Sequence, residues 1–146
     1  MCGMRVVAGA FLRTLLMAVL LTGATAAQEL VSFATQDGGL IYANVYGKGE
    51  RGVVLAHGGR FNKESWEKQA RQLAQAGFLA MAIDLRGYGQ SRGPGQADPM
   101  SAPLHWDVLA AVRYLRKTGA KTVAWLEPTW EVGRRPTLRL NVSQVK

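Results

Sequence analysis

Two short, wholly apolar runs separated by an amphipathic stretch constrain this chain more than anything else in it. Gly52-Val53-Val54-Leu55-Ala56 and Phe78-Leu79-Ala80-Met81-Ala82-Ile83 carry no polar side chain, and such runs read as strands covered on both faces. Between them, Glu64 to Ala76 brings Trp66, Ala70, Leu73 and Ala74 to one side at the 3/4 spacing of an amphipathic helix. Gly77 stops that helix. Leu104 to Leu115 repeats the pattern with Leu104, Val108, Ala111, Val112 and Leu115; Gly119 caps it, and Lys121–Ala124 begins a third buried strand. Ahead of all this, Leu30–Thr35 and Leu40–Tyr46 flank the turn Gln36-Asp37-Gly38-Gly39 and read as a hairpin. A leading β-hairpin followed by β-α-β-α-β implies an α/β fold with a parallel sheet and right-handed crossovers.

The net charge of +8 is unevenly placed. Arg5 and Arg13 lie in the first 27 residues, and Arg134, Arg135, Arg139 and Lys146 crowd the last 22 against only Glu127 and Glu131. No basic stripe interleaved with aromatics accompanies the charge, so no nucleic-acid partner is expected. Residues 1–27 read as a signal peptide. Arg5 and Arg13 lead into the apolar run Leu15–Leu21, and the small residues Thr22–Ala27 offer a cleavage site. Arg13 interrupts the apolar stretch, and the clean run is well short of the roughly 20 residues a spanning helix needs. The expectation is therefore a secreted or periplasmic chain with no stable membrane span. The sole cysteine, Cys2, falls inside this segment, which leaves the mature chain without disulfide or thiol chemistry.

Two loops carry the motifs. After the first buried strand comes Ala56-His57-Gly58-Gly59-Arg60-Phe61-Asn62. Paired glycines there let backbone N–H groups face a ligand, at the strand ends where open α/β sheets bind theirs. The second buried strand ends in Asp84-Leu85-Arg86-Gly87-Tyr88-Gly89-Gln90-Ser91. V-L-A-H-G-G, a helix containing Trp66, then D-L-R-G-Y-G-Q-S resembles the α/β-hydrolase family, particularly its dienelactone-hydrolase-like and serine-aminopeptidase-like branches, over roughly residues 30–124. The resemblance implies hydrolysis of an ester, lactone or amide bond in a small molecule, with no cofactor and no metal. It implies that the N–H of Gly59, or of Arg60 if the register differs by one, lines an oxyanion hole. His57 and Gly58 are then loop supports rather than a general base. By the same resemblance Asp84 and Arg86 pin the second loop, and the catalytic acid belongs after a later strand. Ser91 reads as solvated or part of a turn, His105 as a helix-surface or packing histidine, and Trp66 and Trp106 as core or pocket-wall residues.

The chain departs from the family where the nucleophile should come. Lys121-Thr122-Val123 should lead into the strained G-x-nucleophile-x-G turn, but Ala124-Trp125-Leu126-Glu127-Pro128-Thr129-Trp130-Glu131 follows. Pro128 does not suit a central parallel strand. The sequence thus divides into a signal peptide (1–27), the N-terminal half of a hydrolase domain (28–124) and a divergent tail (125–146). A frame-shifted tail is the hypothesis that this suggests. Joining each codon's third base to the next two, from Leu126 onward, allows Gly or Arg, then Ala or Thr, then Asn, Asp, His or Tyr, then Met, Leu or Val, with Gly forced where Glu131 follows Trp130. That is compatible with an elbow in the right place, although its nucleophile position excludes serine and cysteine. A stop codon soon after in the shifted frame of the coding DNA would sink the idea. The fold expected is thus partial, truncated before the nucleophile elbow, and its third buried strand is left as an open apolar edge. The chain is expected to be catalytically inactive; the competing reading is a secreted, non-enzymatic binding domain or pseudoenzyme using the same cleft.

Overall fold

The computed structural model describes residues 27–95, 102–126, 128–129, 137–138 and 141–143. The proposed signal peptide, apart from Ala27, lies outside the described residues. Strands β1 (Gln28–Ala34) and β2 (Leu40–Tyr46) form the expected antiparallel hairpin. Then come β3 (Arg51–Ala56), a 3-10 turn (Lys63–Trp66), helix α1 (Glu67–Gln75), β4 (Leu79–Ile83), helix α2 (His105–Lys117) and β5 (Thr122–Leu126). They make one six-stranded mixed sheet in the order β1-β2-β4-β3-β5-β8, where β8 is Asn141–Ser143. β3, at the centre, runs parallel to β4 and to β5. The hairpin joins through β2, antiparallel to β4.

Period-two alternation explains the layering. Val53 and Leu55 face α1, together with Tyr46, Ala70, Ala80 and Ala82. Val54 and Ala56 face α2, with Ile41, Met81, Ile83, Val112, Leu115 and Val123. Leu55 is fully buried, a burial that contributes about 1.5–3 kcal/mol. Both helices end alike. The Phe78 N–H reaches the Leu73 carbonyl and that of Gly77 the Ala74 carbonyl; Ala120 and Gly119 do the same with Leu115 and Arg116. This Schellman closure needs a left-handed residue, and Gly77 (φ +82°) and Gly119 (φ +110°) supply it.

Two expectations about the chain's end are modified. β5 runs on through Trp125 and Leu126, paired with Val54 and Leu55, so the strand outlasts the point where the sequence changes character. Its far edge is not open either, because β8 pairs antiparallel along Val123–Trp125. Pro128 does stay out of this sheet: Pro128–Thr129 (β6) pairs with Thr137–Leu138 (β7) in a separate ribbon. On the α1 side a cleft of about 260 Å³, lined by Gly52, Val53, Leu73, Phe78 and Ala124 among others, lies between the helix and β5.

Candidate functional site

The central strand ends directly at His57, which is 3% exposed. Its two ring nitrogens have opposite roles. The Leu85 N–H donates to Nε2 at 3.2 Å, so the ring proton sits on Nδ1, which donates to the Gly58 carbonyl at 2.9 Å. The same carbonyl accepts the Phe61 N–H at 3.0 Å and closes a β-turn over residues 58–61. Neither Gly59 nor Arg60 has a positive φ, as a type I turn requires. Such a turn consumes the first carbonyl and the last N–H but leaves the two central N–H groups unused. Gly59 and Arg60 are exposed, and among the described residues neither N–H has a protein acceptor. A trans peptide points C=O and N–H in opposite directions. Holding the Gly58 carbonyl against the buried imidazole therefore turns the Gly59 N–H outward. The His57 ring thus bonds to both loops, through Gly58 and through Leu85.

The glycine at 59 is less necessary than its sequence suggests. A Cβ there would meet only the Tyr88 hydroxyl, at an ordinary 3.6 Å. That hydroxyl donates to the Gly59 carbonyl at 2.7 Å, and the Tyr88 ring stands edge-on to His57, centroids 4.7 Å apart.

Asp84 fixes the far end of the same loop. Fully buried, it accepts the Lys63 N–H at 2.8 Å on Oδ1 and the Lys63 ammonium at 2.6 Å on Oδ2. Burial works against the Lys63 charge, but hydrogen bonds and attraction from Asp84 and Glu64 outweigh it and hold the ammonium above the ordinary lysine range. His57 Nε2 stands 4.0 Å from Asp84 Oδ1, too far for a hydrogen bond. Gly89, at φ +51°, passes so close that any Cβ would collide with the Asp84 carboxylate.

Arg86 makes the second clamp, and its partners were not visible in the sequence. Its backbone N–H and guanidinium reach both oxygens of the fully buried Asp107 on α2, at 2.7–2.9 Å. The other side of the fork grips Asp37 of the hairpin turn at 2.6 and 3.0 Å. The Asp37 hydrogen bonds, ahead of those to Asp107, hold the guanidinium charged, and Arg86 in turn holds the Asp37 carboxyl well below the usual carboxylate range. Ser91 is not solvated. It is fully buried, and its Oγ accepts the Tyr42 N–H at 2.9 Å, because the loop folds back onto β2 through Leu40 and Arg92. His105 is exposed at the start of α2 beside Trp106, and Trp66 packs under α1. Among the described residues no cluster of three or more histidines, cysteines or carboxylates is placed to hold a metal. Nor, among them, is any helix long and apolar enough to cross a membrane.

The chain is similar to known proteins over the part that carries this site. The chain is 41% identical over 68 residues to a Pongo abelii protein named "Putative protein-lysine deacylase ABHD14B", a match covering 45% of this chain and 32% of that one. It is 33% identical over 78 residues to the rat (Rattus norvegicus) bifunctional epoxide hydrolase 2, covering 53% of this chain and 14% of the relative. An epoxide hydrolase structure from an endophytic Streptomyces superposes with a TM-score of 0.57 at 35% identity, over 73% of this chain and 30% of that one. The chain thus spans about a third or less of the length of these relatives. Their names belong to neither of the two branches that the motifs resemble. The family model described as the alpha/beta hydrolase fold matches residues 52–126, just over half of the chain and, Arg51 apart, the run from β3 to β5: the chain belongs to the α/β-hydrolase fold family.

Proposed function

We propose that this chain carries the oxyanion-binding part of an α/β-hydrolase site, with the N–H groups of Gly59 and Arg60 as donors and with His57 and Gly58 as their support. One observation carries the reading: the 58–61 turn sits at the end of the central strand, its first carbonyl held inward by His57 and both central N–H groups left without protein acceptors. Such donors act on charge that develops only in the transition state, and each is worth about 3 kcal/mol there. The parent reaction is attack by a nucleophile on a polarised carbon, with a histidine activating the nucleophile and an acid orienting the histidine. Its substrate is a small molecule with an ester, lactone or amide bond. The relatives' names add the epoxide ring and the acyl-lysine amide to that range. The dienelactone-hydrolase-like and aminopeptidase-like branches rest on the loop motifs alone.

This chain does not itself complete the reaction. Where the nucleophile would stand, β5 continues through Trp125 and Leu126 toward Pro128. The signal peptide at 1–27 directs it to the periplasm or the exterior. The test is hydrolysis of p-nitrophenyl acetate by the full chain beside Gly59→Pro, a substitution a type I turn accommodates at its second position while losing the donor. No turnover above buffer is expected. Turnover that survives purification and vanishes in Gly59→Pro would overturn the inactivity and leave the donor assignment standing; turnover indifferent to Gly59→Pro would overturn that assignment.

A further inference from the structure

We infer that Tyr88 is the positioning residue for the second donor: its hydroxyl sets the plane of the Gly59–Arg60 peptide and so aims the Arg60 N–H. This rests on the oxyanion reading for its purpose, though not for its geometry. The two donor peptides are held by different groups. The Gly58–Gly59 peptide is fixed by His57 and by the turn itself. Within the turn, the Gly59–Arg60 peptide has one direct hydrogen bond among the described residues, the 2.7 Å bond from the Tyr88 hydroxyl to the Gly59 carbonyl. Chain neighbours apart, that hydroxyl is the one group among the described residues within 4 Å of a Cβ placed on Gly59.

Tyr88 in turn stands on a rigid base. Its N–H donates to the Leu85 carbonyl, its carbonyl accepts from Ser91, and Gly87 donates to the Ser91 carbonyl, all at 2.9–3.1 Å. Arg86, two residues earlier, is locked to Asp107 and Asp37. A carbonyl drawn toward the loop after β4 directs the following N–H the opposite way. In the sheet order β4-β3-β5, that way is toward the end of β5. Without the hydroxyl that peptide is held only by the closure of the turn, its tilt is less restricted, and the Arg60 N–H loses aim while that of Gly59 keeps it.

The experiment is an amide NMR titration of the full chain with phenylphosphonate, repeated in Tyr88→Phe, together with ¹⁵N relaxation of both proteins. The phenyl ring and its contact with His57 survive the substitution, and unchanged amide dispersion elsewhere certifies the fold. In the unaltered chain the Gly59 and Arg60 amides should move together. In Tyr88→Phe the Arg60 response should fall by more than half, that of Gly59 should persist, and binding should weaken about fivefold, the effect of one hydrogen bond. Equal responses in the two proteins would overturn the role of Tyr88 and leave the oxyanion reading intact. No response of either amide in the unaltered chain would overturn the oxyanion reading. The positioning claim is then decided by relaxation: a lower Arg60 order parameter in Tyr88→Phe upholds it, and an unchanged one overturns it.

Discussion

The loops after β3 and β4 leave neighbouring parallel strands at the same end of the sheet, yet they use their polar groups in opposite ways. Residues 57–60 turn backbone donors outward, and their only buried side chain, that of His57, is a brace. Residues 84–91 turn charge inward: Asp84, Arg86 and Ser91 are buried and each has a partner from another segment. The difference is one of division of labour. A donor turn must stay exposed and so has little packing to hold it, which leaves its shape to be imposed by the buried loop next door. Leu85, through His57, together with Lys63 and Tyr88 are the points at which that happens.

Removing Arg86 tests the buried side most severely. Arg86→Ala leaves the Asp107 carboxylate, at 0% exposure, with a backbone N–H but no counter-charge, a defect that costs about 3–5 kcal/mol. Urea unfolding should register that loss or fail to find a folded state; a change below about 1 kcal/mol would mean that the cluster is no clamp. Acid should act on the same loop less abruptly. A carboxyl with a depressed folded pKa, as Asp37 has from Arg86, contributes stability above its unfolded value near 4, and that stability is lost as pH falls toward the folded one. Stability should hold from neutral pH to about pH 5 and decline below about pH 4, with Asp37→Asn flattening the slope. An equally steep decline in that variant would place the acid sensitivity elsewhere. The exposed turn should barely respond. Gly59→Ala, with no positive φ to lose and only a 3.6 Å contact to gain, should change stability by less than about 0.5 kcal/mol. A thermal shift as large as that of Arg86→Ala would erase the contrast between the loops.

What the sequence disclosed was whatever depends on near neighbours. Strand runs, helical spacing and the stops at Gly77 and Gly119 are local patterns, and the elements matched them. The His57-Gly58-Gly59 motif at the end of β3 was visible for the same reason. The ion cluster was not, because Asp37, Arg86 and Asp107 are brought together across separations of 49 and 21 residues with no periodicity to announce them. Of the two readings of Ser91 the turn held, since its N–H closes one on the Tyr88 carbonyl, while the solvated one failed because the loop returns to β2 and buries the hydroxyl. Likewise, the pairing of β5 with Asn141–Ser143 follows from an open backbone edge meeting a nearby segment, which side-chain patterns do not encode.

The fork at Arg86 also bears on the order in which the chain folds. It joins the hairpin turn, the β4 loop and helix α2, so its full set of bonds can close only after all three have docked. Closing such distant contacts costs chain entropy before any reward. The cluster therefore belongs on the native side of the folding barrier, where a weakened contact hastens unfolding and leaves refolding nearly untouched. The loop that shapes the donor turn is a late lock on the molecule, and the lifetime of the folded state depends on it more than the speed of reaching that state.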